Sequence, residues 1–458
     1  MSGDDCFKVL DKIFVPKNKQ NIDNIKGYTM KYGHIVENEE IIDEVLVSYF
    51  KAPKSYTTEN MCEINSHGGN IVVKKILELC LKNGAELAEP GEFTKRAFLN
   101  GRIDLLQAES VVDIINAKSE REAKTGVKQL EGGLSNKIAQ IKQEILDVMV
   151  NIEVAIDYPE YDVDEVTNNQ IIDMLKSVKE KLENLEKTFD NGKIIKEGIK
   201  TAIIGRPNAG KSSLLNRILK EDRAIVTEYE GTTRDTIEEF VNINGIPLKL
   251  IDTAGIRNAK DEVEKIGIAR AKEIAKEADL IIAIFDSSKN LTEEDLEILN
   301  LVKNKKAIIV LNKTDLKSAI DENNQEFKDF KGKIVKISAL NNTGIEEIYD
   351  EITRLFDLSE INLDNEVVIT NVRQKNLISK AIESVDKTKK TIFEKMPLDI
   401  VAIYIKEILE DLGNITGEFV TEDIINEIFA KFCLGKWFLK RMKIKNKQTL
   451  YKYNVILY

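Results

Sequence analysis

The stretch Gly205-Arg206-Pro207-Asn208-Ala209-Gly210-Lys211-Ser212 constrains this chain more than any other. It fits GxxxxGK[ST], and it stands between an apolar run, Ile199 to Ile204, and a helical pattern. Glycines at these spacings let backbone N–H groups curl around phosphate oxygens at a helix N-terminus, where the dipole favours an anion. The backbone of Asn208, Ala209, Gly210, Lys211, Ser212 and Ser213 is therefore expected to cradle phosphates. Lys211 is placed to reach the β- and γ-phosphates, and Ser212 to ligate Mg²⁺. A plain glycine-rich turn does not need the strand before it or the helix after it.

Four further segments follow. Asp252-Thr253-Ala254-Gly255 ends a hairpin, where the carboxylate can hold magnesium through water and the glycine N–H can sense a γ-phosphate. Thr233, inside Gly231-Thr232-Thr233-Arg234-Asp235, is the natural second protein ligand for Mg²⁺. Asn312-Lys313-Thr314-Asp315 and then Ser338-Ala339-Leu340 each follow an apolar strand run. An aspartate at 315 can accept from N1–H and the 2-amino group of guanine. Adenine lacks both donors and leaves the carboxylate unpaired, which discriminates strongly. Together the four elements read as a domain that hydrolyses GTP.

The surroundings decide the architecture. From Ile199 apolar runs alternate with helical stretches: Leu248 to Ile251, Leu280 to Phe285, Ala307 to Leu311, Ile334 to Ile337. That alternation predicts a mainly parallel sheet covered on both faces, and Asn244-Gly245 predicts one antiparallel hairpin edge. Residues 1–99 read as a small α/β domain, with strands at Glu44 to Phe50 and Met61 to Ile64 and a helix over Ile71 to Leu81. Leu105 to Lys193 is long, charged and helical, with Ile138, Ile141, Ile145, Met149 and Ile152 on one face. Tyr158-Pro159 breaks it and Asn191-Gly192 is expected to close it. After Phe356 the chain turns helical again through Lys436. The domains are therefore 1–99, 100–198, 199–356 inserted into the helical part, 357–436, and a basic tail 437–458.

Composition removes other functions. With 458 residues, 32% charged and 42% hydrophobic, the chain is globular and of several domains. A net charge of −11 excludes a broad basic face for nucleic acid. Two histidines, His34 and His67, leave little for histidine catalysis, and His67 before two glycines reads as a tight turn. Cys6, Cys62, Cys80 and Cys433 lack CxxC spacing, so neither a zinc knuckle nor a disulfide framework is indicated. Cys62 and Cys80 read as core; Cys433 is left between a functional thiol and a small buried residue. No apolar run is long enough to span a bilayer and no leader is visible, so the chain reads as cytoplasmic with no membrane partner.

With these residues in hand, the chain resembles the MnmE/TrmE family of tRNA-modification GTPases over about residues 2 to 436. Segments outside the phosphate-binding domain make the resemblance specific: Ser66-His67-Gly68-Gly69, Pro90 to Phe98 (PGEFTKRAF), Ile415-Thr416-Gly417-Glu418 and Phe432-Cys433-Leu434-Gly435-Lys436. The implied fold is α/β plus α: a Ras-like P-loop GTPase domain inserted in a helical domain, preceded by a small α/β domain of folate-binding type.

The resemblance implies a homodimer formed through the amino-terminal domains and a heterotetramer with an FAD-dependent MnmG-type partner. Together these modify C5 of the wobble uridine of tRNA with an aminomethyl or carboxymethylaminomethyl group. It implies a 5-formyl- or 5,10-methylene-tetrahydrofolate, for which the matching residues are Glu63, Arg102 and Lys436. A carboxylate suits the donor face of a pterin and cations suit the folate tail; without the resemblance each reads as an ordinary surface charge. After DTAG stands Ile256, which can neither donate nor accept, so the water-orienting group must lie elsewhere. The family implies Glu264; without it, Glu264 is one more acid in Asp261-Glu262-Val263-Glu264. It also implies K⁺ beside the phosphates in place of an arginine finger, with Asn208, Thr227, Tyr229 and Thr232 as the matching residues. Arg234 could serve as a finger from the same chain, but it is expected to stabilise its loop.

Two departures from the family pattern stand out. The family begins with a further strand and a glycine-rich turn ending in an arginine that contacts folate, whereas this sequence opens at Met1-Ser2-Gly3. Either the start lies upstream, or a sheet edge is exposed and folate binding and dimerisation are weakened. At the other end, 22 residues from Trp437 to Tyr458, with six Lys/Arg and no acids, follow Lys436. They suit a contact with tRNA phosphates or form an extension without selected function. Two alternatives to tRNA modification remain: a regulatory switch, for instance in ribosome assembly, and a GTPase without modification activity. The first often carries an RNA-binding GXXG loop, and Leu412 to Gly417 does not fit one.

Overall fold

The computed structural model describes residues 1–18, 27–157, 164–221, 239–243, 245–251, 267–356, 367–430 and 432. Two compact units divide the chain. One holds Met1–Val112, Leu130–Gln143 and Leu409–Tyr458; the other holds Asp113–Gln129 and Glu144–Ile408.

In the first unit, α1 (Cys6–Asp11) leads to β1 (Phe14–Pro16), β2 (Thr29–Glu37), β3 (Glu40–Phe50) and β4 (Met61–Asn65), an antiparallel sheet in that order. The helix α2 (Asn70–Lys82) follows, confirming the helix read over Ile71 to Leu81. One sheet face and the apolar stripes of α1 and α2 bury Leu10, Ile35, Val47, Tyr49, Cys62, Ile76 and Cys80 together. Cys62 and Cys80 are thus core residues, as expected. Along the outer side of β4, Met1 to Gly3 run antiparallel: Cys62 N–H donates to the Met1 carbonyl at 3.0 Å and Gly3 N–H to that of Asn60 at 3.0 Å. The edge of β4 is occupied there by the first residues of the chain rather than bare. Gly69 N–H donates to the His67 carbonyl at 2.8 Å, and the His67 N–H and Nδ1 are both 2.8 Å from the Asp43 carboxylate.

The same unit contains α3 (Glu92–Leu99), the first part of α4 (Leu105–Ile115), the α5 end (Glu120–Leu130), the start of α6 (Gly133–Asp157) and the chain from Leu409 on. Here the stretch Pro90 to Phe98 meets Phe432 through Gly91 and Gly417 through Phe98. A β-carbon on Gly91, at φ +68°, would lie 2.6 Å from the Phe432 ring, and one on Gly417, at φ +93°, 2.8 Å from the Leu105 side chain. Phe432 stacks on Phe429 at 4.7 Å, and Tyr56 and Thr94 share a hydroxyl hydrogen bond of 3.0 Å.

The second unit contains most of α6, then α7 (Asp164–Lys187) and α8 (Phe189–Glu197). Ile138, Ile141, Ile145, Met149 and Ile152 are buried, as their spacing requires. The helix does not close at Asn191-Gly192. Gly192 lies inside α8 because the helix passes so near Ile369 that a β-carbon would stand 2.0 Å from its carbonyl oxygen. The stop falls at Gly198, whose φ of +77° no side chain adopts readily. The glycine at 192 serves close approach, and sequence alone does not separate that use from a turn.

Then comes a six-stranded sheet of order β10-β9-β8-β5-β7-β6: β5 (Ile199–Ile204), β6 (Glu239–Ile243), β7 (Ile246–Leu250), β8 (Leu280–Asp286), β9 (Ala307–Asn312) and β10 (Ile334–Lys336). All neighbours are parallel except β6 and β7, so the hairpin at Gly245 forms the antiparallel edge as read. Every residue of β8 and β9 is buried, the mark of strands covered on both faces. The flanking helices are α9 (Lys211–Glu221), α10 (Gly267–Glu277), α11 (Glu293–Val302) and α12 (Ile345–Leu355). After them α13 (Val372–Phe393), packed on α7, and α14 (Leu398–Thr416) restore the helical layer, and α15 (Glu422–Ala430) returns to the first unit. Among the described residues no helix is long and apolar enough to cross a membrane.

Candidate guanine-nucleotide site

In parallel sheets ligands bind beyond the carboxyl ends of the strands. The phosphate loop leaves β5 there and the NKTD loop leaves β9, with β8 between them. A β-carbon on Gly205 would stand 2.4 Å from the Ile284 carbonyl oxygen, so this glycine lets the loop start tight against β8. Asn208 takes φ +61° and points to solvent, Ala209 is buried, and Gly210 takes φ +106°. Lys211, the first residue of α9, donates from Nζ to the carbonyls of Gly205 and Arg206, both at 2.7 Å. Burial pushes the Lys211 ammonium below its ordinary value. Both acceptors are neutral, so the charge remains available to an anionic ligand. Ser212 and Ser213 occupy the next positions of α9, half-buried and exposed.

The base-reading loop is tied to this cradle. Asn312 donates from Nδ2 to the Ala209 carbonyl at 2.9 Å, and its Oδ1 accepts the Ala339 N–H at 3.0 Å. Asp315 is exposed, and its Oδ1 accepts the Ser338 hydroxyl at 2.5 Å, which turns the carboxylate while leaving its other oxygen for a base. Lys313, at φ +67°, reaches back to Asp286 at the end of β8, with Nζ to Oδ2 2.7 Å. Against the upward push of burial, the Lys313 ammonium and the Ser288 hydroxyl and N–H hold the Asp286 carboxyl below its ordinary value.

Asn208, Ala209, Gly210, Lys211, Ser212, Ser213, Asn312, Lys313, Asp315, Ser338 and Ala339 thus converge on one end of the sheet. Thr227, Tyr229, Thr232, Thr233, Arg234, Asp252, Thr253, Ala254, Gly255, Ile256 and Glu264 lie outside the described residues, as do Cys433 and Lys436. In the other unit, Glu63 is exposed on β4 opposite Ser48, and the Arg102 guanidinium stacks 4.6 Å from the Tyr56 ring centre. Three residues that sequence reasoning passed over also belong to the site: Asp286, Arg206 and Asp295. Arg206 stands inside the GxxxxGK[ST] stretch at a position the pattern leaves open, and Thr292-Glu293-Glu294-Asp295 has a capping-box spacing at the start of α11.

A glycine cradle on β5, cross-linked by an asparagine to a loop that presents a carboxylate to a base edge, defines a P-loop domain of the guanine-reading class. The rest of the chain narrows that class. The model of the MnmE helical domain matches residues 105–433, and that of the GTP-binding protein TrmE N-terminus matches residues 1–102. The chain belongs to the MnmE family of tRNA modification GTPases. It is 49% identical over 441 residues, 95% of each chain, to the tRNA modification GTPase MnmE of Acetivibrio thermocellus. It is equally identical over 439 residues to that of Alkaliphilus oremlandii and over 436 to that of Clostridioides difficile, again 95% of each chain. Among solved structures, the G domain of the T. maritima FeoB iron transporter covers 34% of this chain and 98% of its own at 27% identity. Its TM-score is 0.26, too low to argue from.

Proposed function

We propose that this chain hydrolyses GTP to drive modification of C5 of the tRNA wobble uridine, as one subunit of a complex with an FAD-dependent partner of MnmG type. The observation that carries the proposal is the Asn312 bridge between phosphate and base loops, in a chain that matches the family along 95% of its length. The five-part division of the sequence and the homodimer through residues 1–99 belong to the same reading.

The residues present suit the ions the reading needs. Ser212 offers a hydroxyl, a hard oxygen donor, one residue after Lys211, and Asn208 offers an exposed amide oxygen held by a positive φ. Mg²⁺ on Ser212 and Thr233 and K⁺ on Asn208, Thr227, Tyr229 and Thr232 supply positive charge to the phosphates when bound. The chain's own part is positional. Lys211 leaves its two carbonyls for the β- and γ-phosphates, and Asp315 fixes the base. Gly255 follows the γ-phosphate through its N–H, Asp252 holds the metal's water, and Arg234 steadies the closing loop. With Ile256 unable to orient water, Glu264 takes that task. On the amino-terminal domain, Glu63 is free to meet a pterin edge, and Arg102, stiffened by Tyr56, suits a folate carboxylate together with Lys436.

The test is the tRNA itself. In a strain lacking this gene, wobble uridines should lose the C5 group and regain it on complementation. Unchanged uridines in the deletion strain would refute the proposal, and co-sedimentation with ribosomal subunits without a flavoprotein would favour a regulatory switch. GTP turnover should rise in K⁺ over Na⁺ at matched ionic strength, and Glu264→Ala should keep nucleotide binding while losing most turnover. Calorimetry with 5-formyl-tetrahydrofolate tests the amino-terminal site separately.

A further inference from the structure

Asp295 lies at the third position of α11, outside the phosphate- and base-binding motifs. Its side chain is 3% exposed, and its two oxygens have separate duties. Oδ2 accepts the Thr292 N–H at 2.9 Å and the Thr292 hydroxyl at 3.1 Å, capping the helix. Oδ1 accepts Nε of Arg206 at 2.8 Å. Arg206 is the second residue of the phosphate loop, and its own carbonyl is one of the two that hold Lys211 Nζ. Gly205, just before it, touches β8 on the other side. The start of the loop is therefore gripped twice, by the backbone of β8 and by an ion pair to the helix that follows β8.

We propose that Asp295 is a positioning residue for guanine-nucleotide binding: through Arg206 it sets the first turn of the phosphate loop and the resting place of Lys211. A helix cap alone does not need the charge, since an amide oxygen also accepts an N–H. A carboxylate this buried is costly unless it is paired, and the cation that pairs it is the one on the phosphate loop, Arg206. The pair also ties the phosphate loop to the β8–α11 connection, which holds the base loop at its other end through Asp286 and Lys313. Affinity for the phosphates and for the base thereby acquires a common support.

The inference rests on guanine nucleotide being the ligand, and the experiment separates the two. Full-length parent, Asp295→Asn, Arg206→Met, Arg206→Lys and the Asp295→Asn/Arg206→Met double variant are titrated with a fluorescent GDP and assayed for GTP turnover. Asp295→Asn and Arg206→Met are each expected to weaken GDP binding and raise KM about tenfold, the scale of coupling between contacting residues, with kcat nearly unchanged. The double variant should be no weaker than either single one, and Arg206→Lys should recover part of the affinity. Additive losses, or an Asp295→Asn variant that melts earlier yet binds GDP like the parent, would overturn the positioning role. A parent blind to GDP would overturn both readings.

Discussion

A β-carbon built on Gly210 would stand 2.0 Å from the Asn312 amide nitrogen, so the phosphate loop and the base loop meet where no side chain fits. Because Gly210 also holds φ +106°, even alanine meets both a steric and a backbone penalty there. Gly210→Ala should push Asn312 off the Ala209 carbonyl and cost about 2–4 kcal/mol of nucleotide affinity. Asn312→Ala removes the same bridge without the clash and should cost less. Titration with fluorescent GDP ranks the two, and an alanine at 210 that binds like the parent would contradict the geometry.

Asp315 should decide which base is accepted. Its carboxylate, turned by the Ser338 hydroxyl at 2.5 Å, can only accept when ionised. In Asp315→Asn the amide adds donors, which suits the C2 carbonyl of xanthine better than the amino group of guanine. GTP affinity should fall at least about 100-fold, within the range for a polar site with an unpaired partner, while xanthosine triphosphate gains. Competition of the two nucleotides against fluorescent GDP reads the exchange directly, and equal losses for both would detach Asp315 from the base.

These two sites were legible because the chemistry dictates residue types at fixed spacing within one loop. The strands behind them were legible because both faces of β8 and β9 are covered, so apolar residues run without a break. The pair β1 and β2 left no such trace. In β2 the exposed face carries Met30 and Tyr32, and Gly33 lies so near β1 that its β-carbon would stand 2.3 Å from the Val15 carbonyl oxygen. Asp295 and Arg206 are 89 residues apart, and nothing local records that the fold brings them together. Gly192 and Gly210 show the same limit: a glycine states that space or φ is special, but not which neighbour makes it so.

Glu122 gives the second unit a pH signature. It lies on α5, 6% exposed, accepting the Lys118 N–H at 2.6 Å near a small cavity lined also by Asp113, Lys196, Gln129 and Thr370. Burial pushes its carboxyl up to about 7, with the Lys118 N–H and nearby cations pulling the other way and Asp113 adding to the rise. A folded pKa above the unfolded value means the stability from this group is complete below about 4.5 and is lost as pH climbs to about 7. The whole shift corresponds to about 3 kcal/mol. Glu122→Gln keeps an acceptor for Lys118 but cannot ionise, so its thermal midpoint should vary less than the parent's between pH 5 and pH 7.5. Parallel midpoint curves would show that another group governs this range.

The family segment at Gly91 should prove to be a packing point whose cost can be divided. Gly91 precedes α3 at φ +68°, and an added β-carbon would lie 2.6 Å from Phe432, itself stacked on Phe429. Gly91→Ala therefore carries two penalties: about 1 kcal/mol for a left-handed alanine, and a clash whose relief displaces the ring. Together they should cost the first unit about 2–3 kcal/mol. Phe432→Ala alone removes the ring, its stacking and its apolar burial, about 3–4 kcal/mol. In the double variant the contacts with Cγ and Cδ1, at 2.6 and 2.9 Å, disappear while the one with Cβ and the backbone penalty stay, so the combined loss should be smaller than the sum of the two. Chemical denaturation followed by Trp-independent far-UV dichroism supplies all four corners of the cycle. Strict additivity would mean that the alanine is accommodated by movement of α3 rather than against Phe432.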